Sequence, residues 1–355
     1  IALVLHAGHL ADQLDRRRIV GATFMLAGFC GAVLMLATFA GFASSWLIYA
    51  MAFLLGIVRI FGAPAAQALL PTLVPREQFS RAVALNAMAF QLATIFGPAA
   101  AGAAFFLGTG AVYALAAALL IAGGVMGFAI RTRTQGEKRP FNFENLSAGL
   151  KFILARPVML GAISLDLFAV LFGGVVALLP VYARDILEIG PQGLGLLRSA
   201  PAVGAALMSL ALSRFAIKRG AGKWLFASVG VFGIATILFG FSENAAFSML
   251  MLLILGAADL VSVYVRSHLM QLNTPDTMRG RVASVNMLFI TTSNELGDFE
   301  SGLMAGWLGV VPAVVVGGVL SIVIAGVVAW RVPSLRKLQH LVPHVADDAA
   351  QNKPC

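Results

Sequence analysis

Seven ionisable side chains stand inside long apolar runs of this chain: Arg59, Asp166, Asp259, Arg266, Glu295, Asp298 and Glu300. A charge at that depth in lipid costs about 2.5–3.5 kcal/mol on insertion scales, so such a residue is a functional candidate by default. Arg59 lies midway along one apolar run and Asp259 midway along another. Opposite charges at such places can hold a zwitterionic or polar ligand, or bridge to each other when the site is empty. The alternative is that each is paired locally. Glu295 and Asp298 are three residues apart, which puts them on one helix face beside Asn294. Glu300 must point elsewhere. Two neighbouring carboxylates out of water suit a proton carrier; a structural, hydrogen-bonded role is the other reading. Asp166 is a further proton candidate, the alternative being a local serine or backbone partner. Arg266 sits near the end of its run, where it would snorkel to the membrane interface.

Other chemistries find no support in the pattern. His6, His9, His268, His340 and His344 show no metal-ligand spacing. No nucleotide-binding loop, nucleophile elbow or zinc signature occurs, so neither an enzyme nor a cofactor is expected. The two cysteines, Cys30 inside an apolar run and Cys355 at the end, give no disulfide framework or metal cluster. No segment is large enough to house a soluble ATPase domain. Any energy source is expected to be an ion gradient.

The elements that position these residues follow from composition. The chain has 355 residues, 59% hydrophobic and 12% charged, against about 25% charged and 45–50% apolar in soluble domains. Lipid must solvate much of the surface. The net charge of +9 does not indicate nucleic acid, because the basic residues form no single stripe interleaved with aromatics. The chain begins mid-hydrophobic at Ile1 without a signal-peptide pattern. Residues 1–7 are too few to span a bilayer, which suggests an N-terminal piece beyond them.

Spanning runs are expected at 19–41, 46–73, 81–107, 110–130, 157–182, 194–217, 224–242, 245–272, 281–308 and 310–331. All must be helical, since lipid cannot satisfy a free backbone. Of the 25 Lys and Arg, Arg184 and Arg198 fall in one set of alternate loops and Arg59 and Arg266 within spans; the other 21 lie on the opposite side. That side, with the tail at 332–355, is the cytoplasm. The connection 131–156 is basic and partly amphipathic, through Phe141, Phe143, Leu146, Leu150, Ile153 and Leu154. It reads as a linker lying on the membrane, between an N-terminal bundle at 1–130 and a C-terminal bundle at 157–331.

The halves repeat at an offset of 200 residues. Leu55-Gly56 matches Leu255-Gly256, Pro75 matches Pro275, and the block from Arg81 to Asn86 matches that from Arg281 to Asn286. Gly97 matches Gly297 and Gly102 matches Gly302. Parallel repeats of this kind mark transporters that hold substrate near the midplane between two similar halves. The offset predicts that Arg59 and Asp259 occupy equal places in their helices.

The stretch from Gly8 to Arg18 (Gly-His-Leu-Ala-Asp-Gln-Leu-Asp-Arg-Arg-Arg) resembles the signature loop that follows the second helix of the major facilitator superfamily. Gly8, Leu10, Ala11, Asp12, Arg16 and Arg17 match; Gln13 and Asp15 depart from the pattern. The block Asn273–Val282 and the segment around Gly149–Leu154 resemble the exporter branch that contains the enterobactin exporter and macrolide efflux proteins. Gly97-Pro98 with Gly102 is similar to the packing motif of the superfamily's antiporters, in which small residues let helices approach and proline bends one of them.

The resemblance implies an all-α, polytopic membrane protein of two pseudo-symmetric six-helix bundles, here without the first helix and most of the second. The ten spans would be the third to twelfth helices. Asp12, with Gly8, Arg16 and Arg17, would latch the cytoplasmic gate. Arg59 and Asp259 would face the substrate cavity. Asp166, Asp259, Glu295 and Asp298 would be the candidates for proton coupling. The expected function is secondary active, proton-coupled efflux of a small, partly apolar compound by a monomer in the bacterial inner membrane. Its partners would be substrate, protons and lipid, with no nucleic acid. The rivals are an uptake symporter of the same fold, and a non-transporting fragment or regulatory membrane partner.

Overall fold

The computed structural model describes residues 15–131 and 143–339, apart from 216 and 218. Among these residues there is no strand. Helices α1 (Arg16–Phe39), α2 (Ser45–Leu73), α3 (Phe79–Ala104) and α4 (Thr109–Ala129) come first. They are followed by α5 (Phe143–Leu154), α6 (Pro157–Phe172), α7 (Val175–Val181), α8 (Gly190–Arg214) and α9 (Ala221–Gly240). The last are α10 (Ala245–Leu272), α11 (Asp276–Leu308), α12 (Val310–Arg331) and α13 (Pro333–Arg336). Every expected span is helical over most of its length, and one, 157–182, is divided between two helices. Among the described residues nine helical stretches are long and apolar enough to cross a membrane. The tenth expected span lies on α11, whose 33 residues carry Glu295, Asp298 and Glu300 in mid-course.

The chain divides into two compact units, Ile1–Ala93 with Ala100–Asn142, and Thr94–Ala99 with Phe143–Cys355. In the first unit α1 packs on α2 and α4. Glycines make the closest approach: a Cβ at Gly28 would meet Ile121 Cγ1 at 2.6 Å, and one at Gly127 would meet Gly21 Cα at 3.1 Å. Lipid tails are as apolar as leucine, so helices in a membrane gain from such close backbone contact rather than from escaping water. Val20, Ala65 and Leu69 form one buried cluster here, and Cys30, Leu34 and Met51 another. Cys30 is fully buried and fills core space.

In the second unit α10 packs on α8 and α9, and α9 on α12. Its largest core joins Leu178, Leu179, Tyr182, Leu197, Phe239, Leu252 and Leu255. Gly204 and Gly256 lie against the facing backbone carbonyls of Leu253 and Pro201. The span expected at 157–182 is one run in sequence but two helices in space, interrupted at Gly173-Gly174. Phe232 of α9 occupies the place a Cβ at Gly173 would need, and Ser301 of α11 does the same at Gly174. The break sits at a glycine pair against which neighbouring helices pack, a cause of kinking that needs no proline.

Helix α5 belongs to this second unit. Its Phe152 and Ile153 pack with Met159, Ile163, Met270, Val282 and Val285 of α6, α10 and α11. The amphipathic pattern of 131–156 was expected to rest on the membrane. Over α5 protein packs on Phe152 and Ile153, while Leu150 and Leu154 stay exposed.

Local geometry repeats between the units, each taken by itself. Ser44 and Asn244 are the N-caps of α2 and α10, and each accepts a hydrogen bond from the backbone N–H three residues on. Arg59 and Asp259 both stand 15 residues after these caps. Gly108 turns the chain into α4 with φ 93° and ψ 160°, and Gly309 turns it into α12 with φ 91° and ψ 161°. This left-handed φ favours glycine, and the offset has grown to 201 by this corner. The α1–α4 contact of Gly28 with Ile121 recurs as Gly233 against Ile322 Cγ1, also at 2.6 Å, between α9 and α12. The repeat thus extends to α1 and α9, where the sequence blocks do not reach.

Replacing Gly256 by Ala drives a methyl into the Pro201 carbonyl. We expect a loss of about 1–3 kcal/mol from overpacking, seen as a lower thermal midpoint of the purified protein in detergent. Gly326→Ala, where a Cβ meets nothing within 4 Å, should leave that midpoint unchanged.

Candidate membrane charge cluster

Three elements bring the site together. Pro157 opens α6 at a position where its missing N–H has no helical partner to lose. Two and a half turns on, Asp166 points into the bundle, 6% exposed. On α10, Asp259, Ser262 and Arg266 are spaced i, i+3, i+7, which places them on one stripe. The third element is α11, which contributes Asn286.

Arg266 is the hub. Its Nη2 lies 3.0 Å from Asp166 Oδ2, both side chains almost fully buried. Its Nη1 donates to Asn286 Oδ1 at 3.1 Å. One guanidinium thus ties α10 to α6 and α11. The expectation that Arg266 snorkels to the interface does not hold: it is 3% exposed and turns inward, because a carboxylate and an amide are in reach there. The expected partner of Asp166, a local serine or backbone group, is replaced by this arginine 100 residues away.

Beside the pair lies a cavity of about 10 Å³, lined by Asp166, Ala169, Val170, Ser228, Val229, Phe232, Ala258, Asp259 and Ser262. That is room for about one water molecule, with polar groups to bind it. The Ser262 hydroxyl and the Arg266 Nε are buried and have no hydrogen-bond partner among the described residues. Ser228 donates to the Leu225 carbonyl at 2.8 Å and keeps its lone pairs for the cavity. Two carboxylates face one guanidinium. With both ionised the cluster carries one negative charge; with one proton added it is neutral.

Glu295 and Asp298 are not part of this cluster. The buried stripe of α11 runs through Ser293, Gly297 and Ser301, whereas Glu295 and Asp298 are exposed. They do share a face, as their spacing requires. Arg59 is exposed on α2 in the other unit. Pro98 lies inside α3. A Cβ at Gly97 would have open space around it, while Gly102 is buried. Gly8 and Asp12 lie outside the described residues. Their neighbour Arg17 pairs with Asp15 at 2.7 Å and donates to the Ile130 carbonyl, at the C-terminal end of α4, at 2.5 Å. A cation at that helix end is favourable. Asp15, which departs from the signature pattern, is therefore the acid that holds Arg17. Arg16 begins α1 and is half-buried.

Sequence reasoning missed Ser228, Ser262 and Asn286 as members of the site. The i, i+3, i+7 stripe on α10 was the available signal for Ser262. Asn286 stood in a repeat block without a reason for its side chain. A second, apolar cleft of about 210 Å³ lies between α1 and α2, lined by Ile19, Ala22, Thr23, Leu26, Ile57, Val58 and Phe61.

The profile of a transmembrane secretion effector family matches residues 1–348, almost the whole chain. The chain belongs to this family. It is a multi-pass membrane transporter of the major facilitator superfamily. Among its relatives are enterobactin exporters of Escherichia coli O1:K1 and of Shigella boydii serotype 18, each 28% identical over 312 residues. The match covers 85% of this chain and 72% of each relative. Solved structures with the same fold include a bacterial homologue of the human lysosomal transporter Spinster in an inward-facing, unoccupied conformation. It has TM-score 0.67 and 14% identity, with 94% of this chain and 85% of that one covered. A POT family transporter in complex with 5-aminolevulinic acid has TM-score 0.71 and 13% identity, covering 94% and 86%. Likeness at that identity carries the fold alone. Family membership accounts for the apolar composition, the alternating basic loops and the repeat together.

For this family member, removing one partner of the buried pair leaves the other as an uncompensated buried charge. Asp166→Asn or Arg266→Gln alone should cost about 3–5 kcal/mol and reduce the yield of folded protein. The double variant should recover most of that loss. Size-exclusion profiles and thermal midpoints in detergent measure both effects.

Proposed function

We propose that this protein is a proton-coupled exporter that moves a small, partly apolar compound out of the cell by alternating access. The observation that carries the reading is the buried Asp166–Arg266 pair with Asp259 beside it. Charged groups inside a membrane bundle mark ion and substrate paths, and here the carboxylates exceed the cation by one. Export as the direction is supported by the secretion-effector family and by relatives named for export of enterobactin. A siderophore-like, drug-like or metabolite substrate fits that support.

In this reading the protein sits in the bacterial inner membrane as a monomer, with its C-terminus in the cytoplasm. Asp259 is the polar substrate contact of the C-terminal unit, and Arg59 holds the corresponding position of the N-terminal unit. Asp12, with Gly8, Arg16 and Arg17, latches the cytoplasmic gate. The latch is supported by Arg17, which already joins the start of α1 to the end of α4.

Two measurements test the reading. Enterobactin is the first probe, because relatives are named for it. Everted vesicles holding the protein should accumulate it when the lumen is made acidic, and lose that accumulation when a protonophore collapses the gradient. Accumulation driven instead in right-side-out vesicles would turn the reading into uptake. Asp12→Asn and Arg17→Gln should slow transport while leaving membrane insertion intact. Unchanged transport rates in both variants would remove the latch.

A further inference from the structure

We infer that Asp259 is the residue that takes up and releases the coupling proton, in a one-proton site completed by Ser262, Ser228 and a permanently ionised Asp166. The inference rests on the proton-coupled reading above and narrows its four candidate carboxylates to one.

The first argument is the asymmetry between the two acids in the cavity. Asp166 is buried at 6% exposure, and its Oδ2 is held 3.0 Å from Arg266. Protonating it would strand a guanidinium that Asn286 also holds in place, and an uncompensated buried charge is costly. Asp259 shares the cavity and, among the described residues, makes no ion pair with Arg266. It is the acid whose charge can change without breaking the pair.

The second argument is the hydroxyl of Ser262. It lines the cavity, is 4% exposed and lacks a hydrogen-bond partner among the described residues. Buried polar groups without partners are rare in native structures and call for a reason. One turn beyond Asp259 on the same stripe, this hydroxyl is placed to donate towards an ionised carboxylate or to accept from a protonated one. A site that must be satisfied in both protonation states needs such a rotor.

Among the described residues the cavity lining holds no acid besides Asp166 and Asp259. Around the cavity α6 presents Asp166, α10 presents Asp259 and Arg266, and α9 presents Ser228, Val229 and Phe232. Helix α11 reaches the pair through Asn286, while Glu295 and Asp298 are exposed and Glu300 is half-buried away from the lining. Helix α12 contributes the Ser321 hydroxyl, bonded to the Ala169 carbonyl. The arginines of α8 and α12 (Arg198, Arg214 and Arg331) are exposed.

The site also touches the break between α6 and α7. Ala169, Val170 and Phe232 line the cavity, and Phe232 packs on the Gly173 break between α6 and α7. Loading Asp259 with a proton neutralises the cluster next to the one interruption of that span. Balance is simple: the carboxylate gains a proton from one side of the membrane and returns it to the other.

The test needs no known substrate. Infrared difference spectra of the purified protein across a pH titration report the C=O stretch of a protonated carboxylic acid. The wild type should show one such titrating band from a buried group. Asp259→Asn should lose it, Asp259→Glu should keep it at a shifted position, and Glu295→Gln and Asp298→Asn should keep it unchanged. Asp166→Asn paired with Arg266→Gln, which keeps the cluster's charge balance, should also retain it. A band that survives Asp259→Asn, or that vanishes in Glu295→Gln or Asp298→Asn, overturns the assignment. In vesicles, Asp259→Asn should lose pH-driven transport of enterobactin while Asp259→Glu retains it. If the wild type shows no pH-driven transport at all, the exporter reading fails, and the infrared result still decides whether Asp259 binds a proton.

Discussion

A guanidinium inside a lipid-solvated bundle must be paired, and the pairing of Arg266 governs how the C-terminal unit is put together. Three helices meet at this side chain: α6 through Asp166, 100 residues away, α11 through Asn286, and α10 itself. Both side chains are almost fully buried, so losing either partner leaves an uncompensated charge. Arginine suits the task because its planar fork offers donors in two directions at once while its charge is permanent. Lysine at the same place would be a point charge on a flexible stem.

Around that polar point the packing is done by small residues. In both units glycines let helix backbones approach to contact, Gly28 on Ile121 in one and Gly233 on Ile322 in the other. The repetition of this contact, and of the glycine corners at Gly108 and Gly309, shows that the repeat is a property of packing as well as of sequence. The charges do not follow it. Arg59 and Asp259 stand at equal places in equivalent helices with opposite sign, and the acid of α6 is joined to the second unit's arginine alone. Shared scaffolding with unshared charges is what a transporter of two similar halves requires if one half is to bind an ion and the other is not.

The second unit also explains α5. A linker that read as membrane-lying carries Phe152 and Ile153, which meet Met159, Met270, Val282 and Val285, while its Leu150 and Leu154 stay exposed. Amphipathicity identifies a helix with one apolar side; it does not say whether lipid or protein covers it.

The helical spans over the described residues, the repeat and the family were legible in the sequence. Each follows from a local or periodic property: span length from bilayer thickness, the repeat from matched blocks such as Arg81–Asn86 and Arg281–Asn286. Asp166 and Asp259 were likewise visible, because any acid in an apolar run stands out. What the sequence left open was which charge meets which. Arg266 sits near a helix end by position and in the interior by structure. Glu295 and Asp298 sit mid-run by position and on an exposed face by structure. Helical periodicity assigns side chains to faces, but the neighbour that each face meets is set by how whole helices pack. Only the tertiary structure, by bringing residues 166, 259, 266 and 286 to one place, decided that a buried ion pair would stand beside a second acid.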